Sequence, residues 1–222
     1  GRVSDIYHLL PVAGLSIVGE HFLPIRHQLL GVPGARVEDL RTVESHVMAL
    51  GQCRDAIRRL GLTPIVAADT AGSAREVAEV ADPSRAAIAS ALAARTYGLE
   101  ILAENIEDAD HNTTRFLVLA REPEDTDPAD GPLITTLVFH VRNVPASLYK
   151  ALGGFATNSV NMTKLESYML DGHFSATQFY ADVEGHPADR GLAFALEELE
   201  FFSHEVSILG TYPASSFRAS LG

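Results

Sequence analysis

The 222-residue chain has one cysteine, Cys53, no apolar run long enough to span a bilayer, and no stripe of basic side chains. A single thiol excludes an intramolecular disulfide and fits a reducing compartment, so a cytoplasmic location is expected. Without an apolar run of about 20 residues no membrane-spanning helix is expected, and without a basic stripe no anionic-membrane partner is expected. The 17 basic residues against 29 acidic ones leave a formal net charge of −12, which argues against a nucleic-acid partner. An anionic ligand would need local cations to hold it against that background. The nine histidines are not spaced as a helical ligand pair and have one cysteine to join them, so no metal is expected. Gly153-Gly154 is not a phosphate loop, because the flanking strand and the following lysine are missing. The opening "GRVSDIYHLL" has neither an initiator methionine nor a secretory pattern and reads as a start inside a larger domain.

What is present is an alternation of strand and helix signals. "LSIVGEHFLPIRHQLLG" reads as extended, since Pro24 does not suit a helix interior. "VMALGQCRDAIRRLG" places Val47, Leu50, Cys53, Ile57 and Leu60 on one helical stripe that Gly61 stops. "TPIVAAD" reads as a short buried strand and "AGSAREVAEVADP" as a helix ended before Pro83. "AAIAS" is a further strand, followed by the helix "ALAARTYG", which Gly98 ends. The order implies a mainly parallel sheet covered by helices, with ligands beyond the carboxyl ends of the strands. "TTRFLVLAR" adds a strand whose polar end faces that cleft.

Residues 122–132, in the acidic and proline-rich stretch "REPEDTDPADGP", read as a linker between domains at 1–121 and 133–222. Beyond it, "ITTLVFHVRN" is a strand and "ASLYKALGGFATNS" a helix weakened by its glycine pair. "NMTKLESYML" and "HFSATQFYADVEG" are strands joined across Asp171-Gly172. "PADRGLAFALEELEFFS" puts Leu192, Leu196 and Leu199 on one helical face, and "VSILGTYP" closes the chain. The order βαββαβ is that of a ferredoxin-like unit, an antiparallel sheet with both helices on one face.

"HNTTRF", residues 111–116, brings hydroxyls and an arginine to a strand mouth. A guanidinium matches a carboxylate in two parallel hydrogen bonds, and a threonine hydroxyl donates one more to a neighbouring oxygen. The bland alternative is a strand-end threonine pair with an arginine capping a carbonyl. His27 and His46 fall in the same half, either as ordinary core or surface histidines or as contacts for an anion.

These residues resemble the prephenate dehydratases that carry a C-terminal ACT regulatory domain. "NTTRF" matches that family's Asn-x-Thr-Arg-Phe signature, and "LPIRHQLLG", "SHVMALGQC", "AAIAS" and "YGLEILAENIED" support it. "TTLVFHVRNVPASLYKAL" and "NSVNMTKLES" are similar to the phenylalanine-sensing module. The family pattern departs at Met48, at Ala146-Ser147-Leu148 in place of Gly-Ala-Leu, and at Tyr168-Met169 in place of Arg-Pro.

The resemblance implies an α/β fold: a two-lobed, periplasmic-binding-protein-like catalytic domain, incomplete at its N-terminus, followed by a ferredoxin-like βαββαβ ACT domain. It implies conversion of prephenate to phenylpyruvate without metal or organic cofactor. Thr114 and Arg115 would be catalytic, and Asn112, Thr113, Phe116 and His46 would bind substrate. The effector L-phenylalanine would contact Asn143, Pro145, Ala146, Ser147, Leu148, Glu166 and Ser167, between subunits of a homodimer or homotetramer. Arogenate dehydratase and a non-catalytic small-anion or amino-acid binding module are the alternatives.

Overall fold

The structure is a computed structural model that describes residues 9–109, 112–169 and 176–220. It divides into two compact units, residues 23–114 and residues 2–22 with 115–222. The expected linker at 122–132 therefore lies inside the second unit, and the Asp171-Gly172 turn lies outside the described residues.

The first unit holds β2 (Gln28–Gly31), β3 (Thr42–His46), α1 (Val47–Gln52), α2 (Arg54–Arg59), β4 (Thr63–Ala67), α3 (Thr70–Val80), β5 (Arg85–Ala89), α4 (Ala91–Tyr97) and β6 (Glu100–Ala103). Its five strands run β4-β3-β5-β2-β6. β3 is parallel to β4 and β5, whereas β2 is antiparallel to both β5 and β6. Four of its five strands therefore run in one direction, as a mainly parallel sheet requires, and β2 is the one reversed strand, lying between β5 and β6.

Alternation along β5 builds the two cores: Ala86 and Ile88 pack with Ala49, Leu50, Cys53 and Ile57 of the α1–α2 side. Ala87 and Ala89 face Ala74 and Val77 of α3 and Ala93 and Ala94 of α4. β4 is exposed at its first four residues rather than buried, since it is an edge strand with a partner on one side only. Thr63 N–H donates to Arg41 O, so its neighbour Pro64 turns its missing N–H toward the open edge, where proline blunts further pairing.

The expected single helix over 47–60 is two. Cys53 leaves helical geometry at φ −123°, ψ 27°, and the reason lies 55 residues on in the chain. The Asp108 carboxylate accepts the backbone N–H groups of Arg54 and Asp55, each at 3.0 Å, while Asp108 N–H donates to Gln52 O at 2.7 Å. The loop after β6 thus ends one helix and caps the next.

The second unit holds most of β1 (Ser16–Pro24) and β7 (Thr113–Ala120), which form a two-stranded sheet, and then β8 (Leu133–Val141), α5 (Ser147–Thr157), β9 (Met162–Met169), β10 (Ala176–Glu184), α6 (Arg190–Phe202) and β11 (Ser203–Pro213). The four later strands run β11-β8-β10-β9, every pair antiparallel. Leu137, Phe139, Phe179, Ala181 and Val183 meet Phe155, Leu192, Leu196 and Leu199, so both helices cover one face, as the βαββαβ order predicts. The other face packs Ile134, Val138, Tyr180 and Tyr212 against Leu10 and Ile17. Close packing explains one of the two glycines in α5: a Cβ on Gly154 would lie 2.8 Å from the Glu198 Cβ of α6 and 3.2 Å from Ala195 O, whereas one on Gly153 would meet nothing within 4 Å. The lost helix propensity admits a close helix–helix approach.

Ala146, where the family pattern has glycine, sits at φ 63°. Left-handed geometry costs a residue with a Cβ about 1 kcal/mol. Ala146→Gly is therefore expected to raise stability by a few tenths to about 1 kcal/mol, read as a higher urea midpoint with unchanged slope; a lower midpoint would contradict the strain argument.

Candidate active site

A cavity of about 340 Å³ in the first unit is lined by Gly51, Gln52, Glu107, Asp108, Ala109, Asn112 and Thr113. Its polar groups are chained. His27 Nε2 pairs with Gln52 Oε1 at 2.8 Å, and Gln52 Nε2 donates to Asn112 Oδ1 at 3.3 Å. Asn112 O accepts from Ile25 N–H at 2.7 Å, which ties the start of β7 to the segment before β2. Asn112 Nδ2 is buried with no hydrogen-bond partner among the described residues.

The two acids in the wall are already compensated. Glu107, 1% exposed at its side chain, accepts from Arg26 Nη1 at 2.7 Å and from His27 N–H at 2.9 Å. Burial alone would raise its pKa, but those bonds outweigh it and hold the carboxyl below its usual value. Burial pushes the Cys53 thiol up to about 12, assisted by Asp108 and Glu107. That thiol is a core side chain and a poor nucleophile.

The signature motif divides between two environments. Successive residues of a strand point to opposite faces, so Thr113 and Arg115 share one face of β7 while Thr114 and Phe116 share the other. Thr113 lines the cavity and Thr114 is half-buried outside its lining. Phe116 is 49% exposed.

Arg115 meets a geometry quite unlike the expected substrate clamp, because each of its three guanidinium nitrogens donates to a carboxylate or a hydroxyl of the protein. Nε donates to Glu20 Oε2 at 2.7 Å, Nη1 to Asp182 Oδ2, and Nη2 to the Tyr212 hydroxyl at 2.6 Å. Thr136 Oγ1 donates to Asp182 Oδ1 at 2.6 Å, and Arg218 adds two bonds to Glu20 at 2.6 and 2.9 Å. The Glu20 and Asp182 side chains are 0% exposed. Two carboxylates and two guanidinium groups are thus buried together, with their remaining acceptor sites filled by hydroxyls and the Ser215 N–H. Desolvation opposes charge on Glu20 and Arg115, yet their partners keep the Glu20 pKa lowered and the Arg115 pKa raised.

A depressed carboxyl contributes stability that is fully present above its unfolded value, about 4.5 for Glu20, and is lost as pH falls through its folded value. Glu107 acts in the same direction. Stability, measured by denaturant midpoints, is therefore expected to fall steeply below about pH 4.5 and to lose part of that slope in Glu20→Gln.

His46 ends β3, and its Nδ1 caps α1 by accepting the Met48 N–H at 3.2 Å. In the second unit, Asn143, Pro145 and Ala146 are exposed, Ser147 is buried, and Leu148 follows in α5. β8 and β9 both run antiparallel to β10, so residues 143–148 leave the sheet at the end where β9 finishes. Glu166 and Ser167 lie near that end, with Glu166 held by Lys164 Nζ at 3.3 Å and the Tyr168 hydroxyl at 3.1 Å. Alternation sends Glu166 and Ser167 to opposite faces.

Sequence reasoning alone did not single out Gln52, Glu107, Asp108, Glu20 or Asp182. Gln52 and the two loop acids stand inside quoted motifs, "SHVMALGQC" and "YGLEILAENIED", so motif membership was their available signal. Glu20 and Asp182 carry no local signal, being 162 positions apart.

The family model for prephenate dehydratase matches residues 1–124, over half the chain. This chain belongs to the prephenate dehydratase family. It is 57% identical over 218 residues to a bifunctional N-acyl-homoserine lactone acylase/prephenate dehydratase of Komagataeibacter europaeus, covering 98% of this chain and 78% of that protein. It is 41% identical to arogenate dehydratase/prephenate dehydratase 1 of Arabidopsis thaliana over 98% of this chain, and spans 59% of that protein's length. The prephenate dehydratase of Arthrobacter aurescens, solved with L-phenylalanine, superposes with a TM-score of 0.79 at 30% identity, covering 90% of this chain and 66% of that one. The mixed α/β fold is therefore the one found in prephenate dehydratases.

Proposed function

We propose that the chain carries the dehydratase chemistry of its family, converting prephenate to phenylpyruvate with loss of water and carbon dioxide. The observation that carries this reading is the continuity of the Asn112–Phe116 signature with a polar cavity, inside the segment that matches the family model. The ring becomes aromatic as the C–O bond to the hydroxyl and the C–C bond to the ring carboxylate break. One proton is taken up with the leaving hydroxide, so the protein's task is to stabilise charge on that oxygen and to orient the carboxylate. Thr114 is assigned the hydrogen bond to the departing oxygen by the family signature alone, since it lies on the face of β7 opposite the cavity-lining Thr113. Asn112 and Thr113 hold the substrate through the cavity they line, with His46 and Phe116 as further contacts. No metal or organic cofactor is part of this scheme.

The second unit is proposed to act as an ACT regulatory domain, binding L-phenylalanine through Asn143–Leu148 and Glu166-Ser167 in a cytoplasmic homodimer or homotetramer. Support comes from the βαββαβ topology and from the relative solved with that amino acid. A ligand that prefers one conformation or assembly shifts the population toward it, which suffices for feedback inhibition.

Full-length protein should release phenylpyruvate from prephenate, detected by its absorbance in alkali. Arogenate at equal concentration, read as phenylalanine formed, separates the arogenate dehydratase alternative; product from neither substrate would leave only a binding module and remove the catalytic reading. The name of the Komagataeibacter relative favours one second activity: amide hydrolysis of N-acyl-homoserine lactones, scored as free homoserine lactone in the same preparation.

A further inference from the structure

With Arg115 committed to Glu20 and Asp182, a dicarboxylate entering the first unit needs another cation. Two arginines neighbour lining residues without belonging to the lining themselves, Arg26 beside Glu107 and Arg54 beside Gly51. Arg26 already neutralises Glu107. Arg54 begins α2, is exposed, and forms no ion pair among the described residues. Its Nη2 lies 3.7 Å from where a Cβ on Gly51 would stand, and Gly51 lines the cavity. One guanidinium nitrogen therefore stands beside a residue of the lining. In the lining of the same cavity, Asn112 Nδ2 is a buried donor without an acceptor among the described residues, a costly state that a ligand oxygen would relieve.

We propose that Arg54 is the carboxylate-binding residue of this cavity, with Asn112 Nδ2 as a second donor, and that the ligand class is a small dicarboxylate. The proposal deepens the dehydratase reading and rests on it. A guanidinium is suited to the task because it offers a carboxylate two parallel donors at a site where Glu107 is paired with Arg26 and the Asp108 carboxylate is held by backbone N–H groups. Against a net charge of −12, it also supplies the local positive potential that a doubly negative ligand requires.

The test uses full-length protein with Arg54→Gln and Arg54→Lys. Arg54 is exposed, so both variants should keep the wild-type melting temperature. Arg54→Gln is expected to raise the KM for prephenate about tenfold or more, as loss of a charge-assisted bond implies, with kcat within about twofold. Arg54→Lys should fall between, because it keeps the charge and loses the fork. A KM in Arg54→Gln within twofold of wild type overturns the assignment. Should the wild type form no product, which defeats the dehydratase reading itself, calorimetry with prephenate and with malonate still decides. Binding that Arg54→Gln weakens tenfold supports the site, and equal binding, or none to wild type, rejects it.

Discussion

Arg115→Ala should cost about 3–5 kcal/mol of folding stability, because it leaves two buried carboxylates sharing one cation. Against a typical total of about 5–15 kcal/mol, that loss leaves a marginal protein. The present arrangement balances Glu20 and Asp182 against Arg115 and Arg218, with Thr136 and Tyr212 satisfying the Asp182 side of the network. Arg115→Lys should recover only part of the loss, since an ammonium is a point charge and cannot replace a fork serving Glu20, Asp182 and Tyr212 at once.

Two measurements distinguish this role from a substrate clamp. A clamp predicts an unchanged melting temperature with a raised KM in Arg115→Lys. A network role predicts a lowered melting temperature, with the KM of the folded fraction unaltered. The double variant Arg115→Met with Asp182→Leu sharpens the test. Removing one cation and one anion together should destabilise less than the sum of the single changes, a coupling expected among groups in direct contact.

Thr114→Ala should lower kcat by about a hundredfold to ten-thousandfold, the range associated with a positioned proton donor, and leave the melting temperature close to wild type. Thr114 is half-buried at the start of β7, so the lost hydroxyl leaves neither a large void nor an orphaned charge. Thr113→Ala provides the contrast. Thr113 lines the cavity, so its loss should act on KM more than on kcat. If the two effects appear the other way round, the cavity-facing Thr113 is the donor and Thr114 is structural. Near-normal turnover in both variants would take the hydroxyls out of the mechanism altogether.

Much of the fold was readable because it depends on local periodicity. Leu192, Leu196 and Leu199 are spaced for one helical face and are buried there, and the βαββαβ order follows from strand and helix signals counted in sequence. The errors have a common origin in contacts made by distant residues. The 47–60 stripe is continuous in sequence, yet Asp108 breaks the helix at Cys53. "TPIVAAD" is as apolar as a buried strand, yet its place at the sheet edge exposes it. The strand β6 was not distinguished from the motif that contains it.

The sequence by itself determined the family, most of the elements, and the presence of hydroxyl and guanidinium groups at residues 113–115, since these rest on residue identity and short-range spacing. Only the tertiary structure decided what those groups face. A strand sends neighbours to opposite sides, and the partners of Arg115 come from positions 20, 182 and 212. Thr113 and Arg115 share one face, yet one meets a cavity and the other two buried acids, because pairing across the chain sets what each stretch of that face meets, and a five-residue motif carries no information on it.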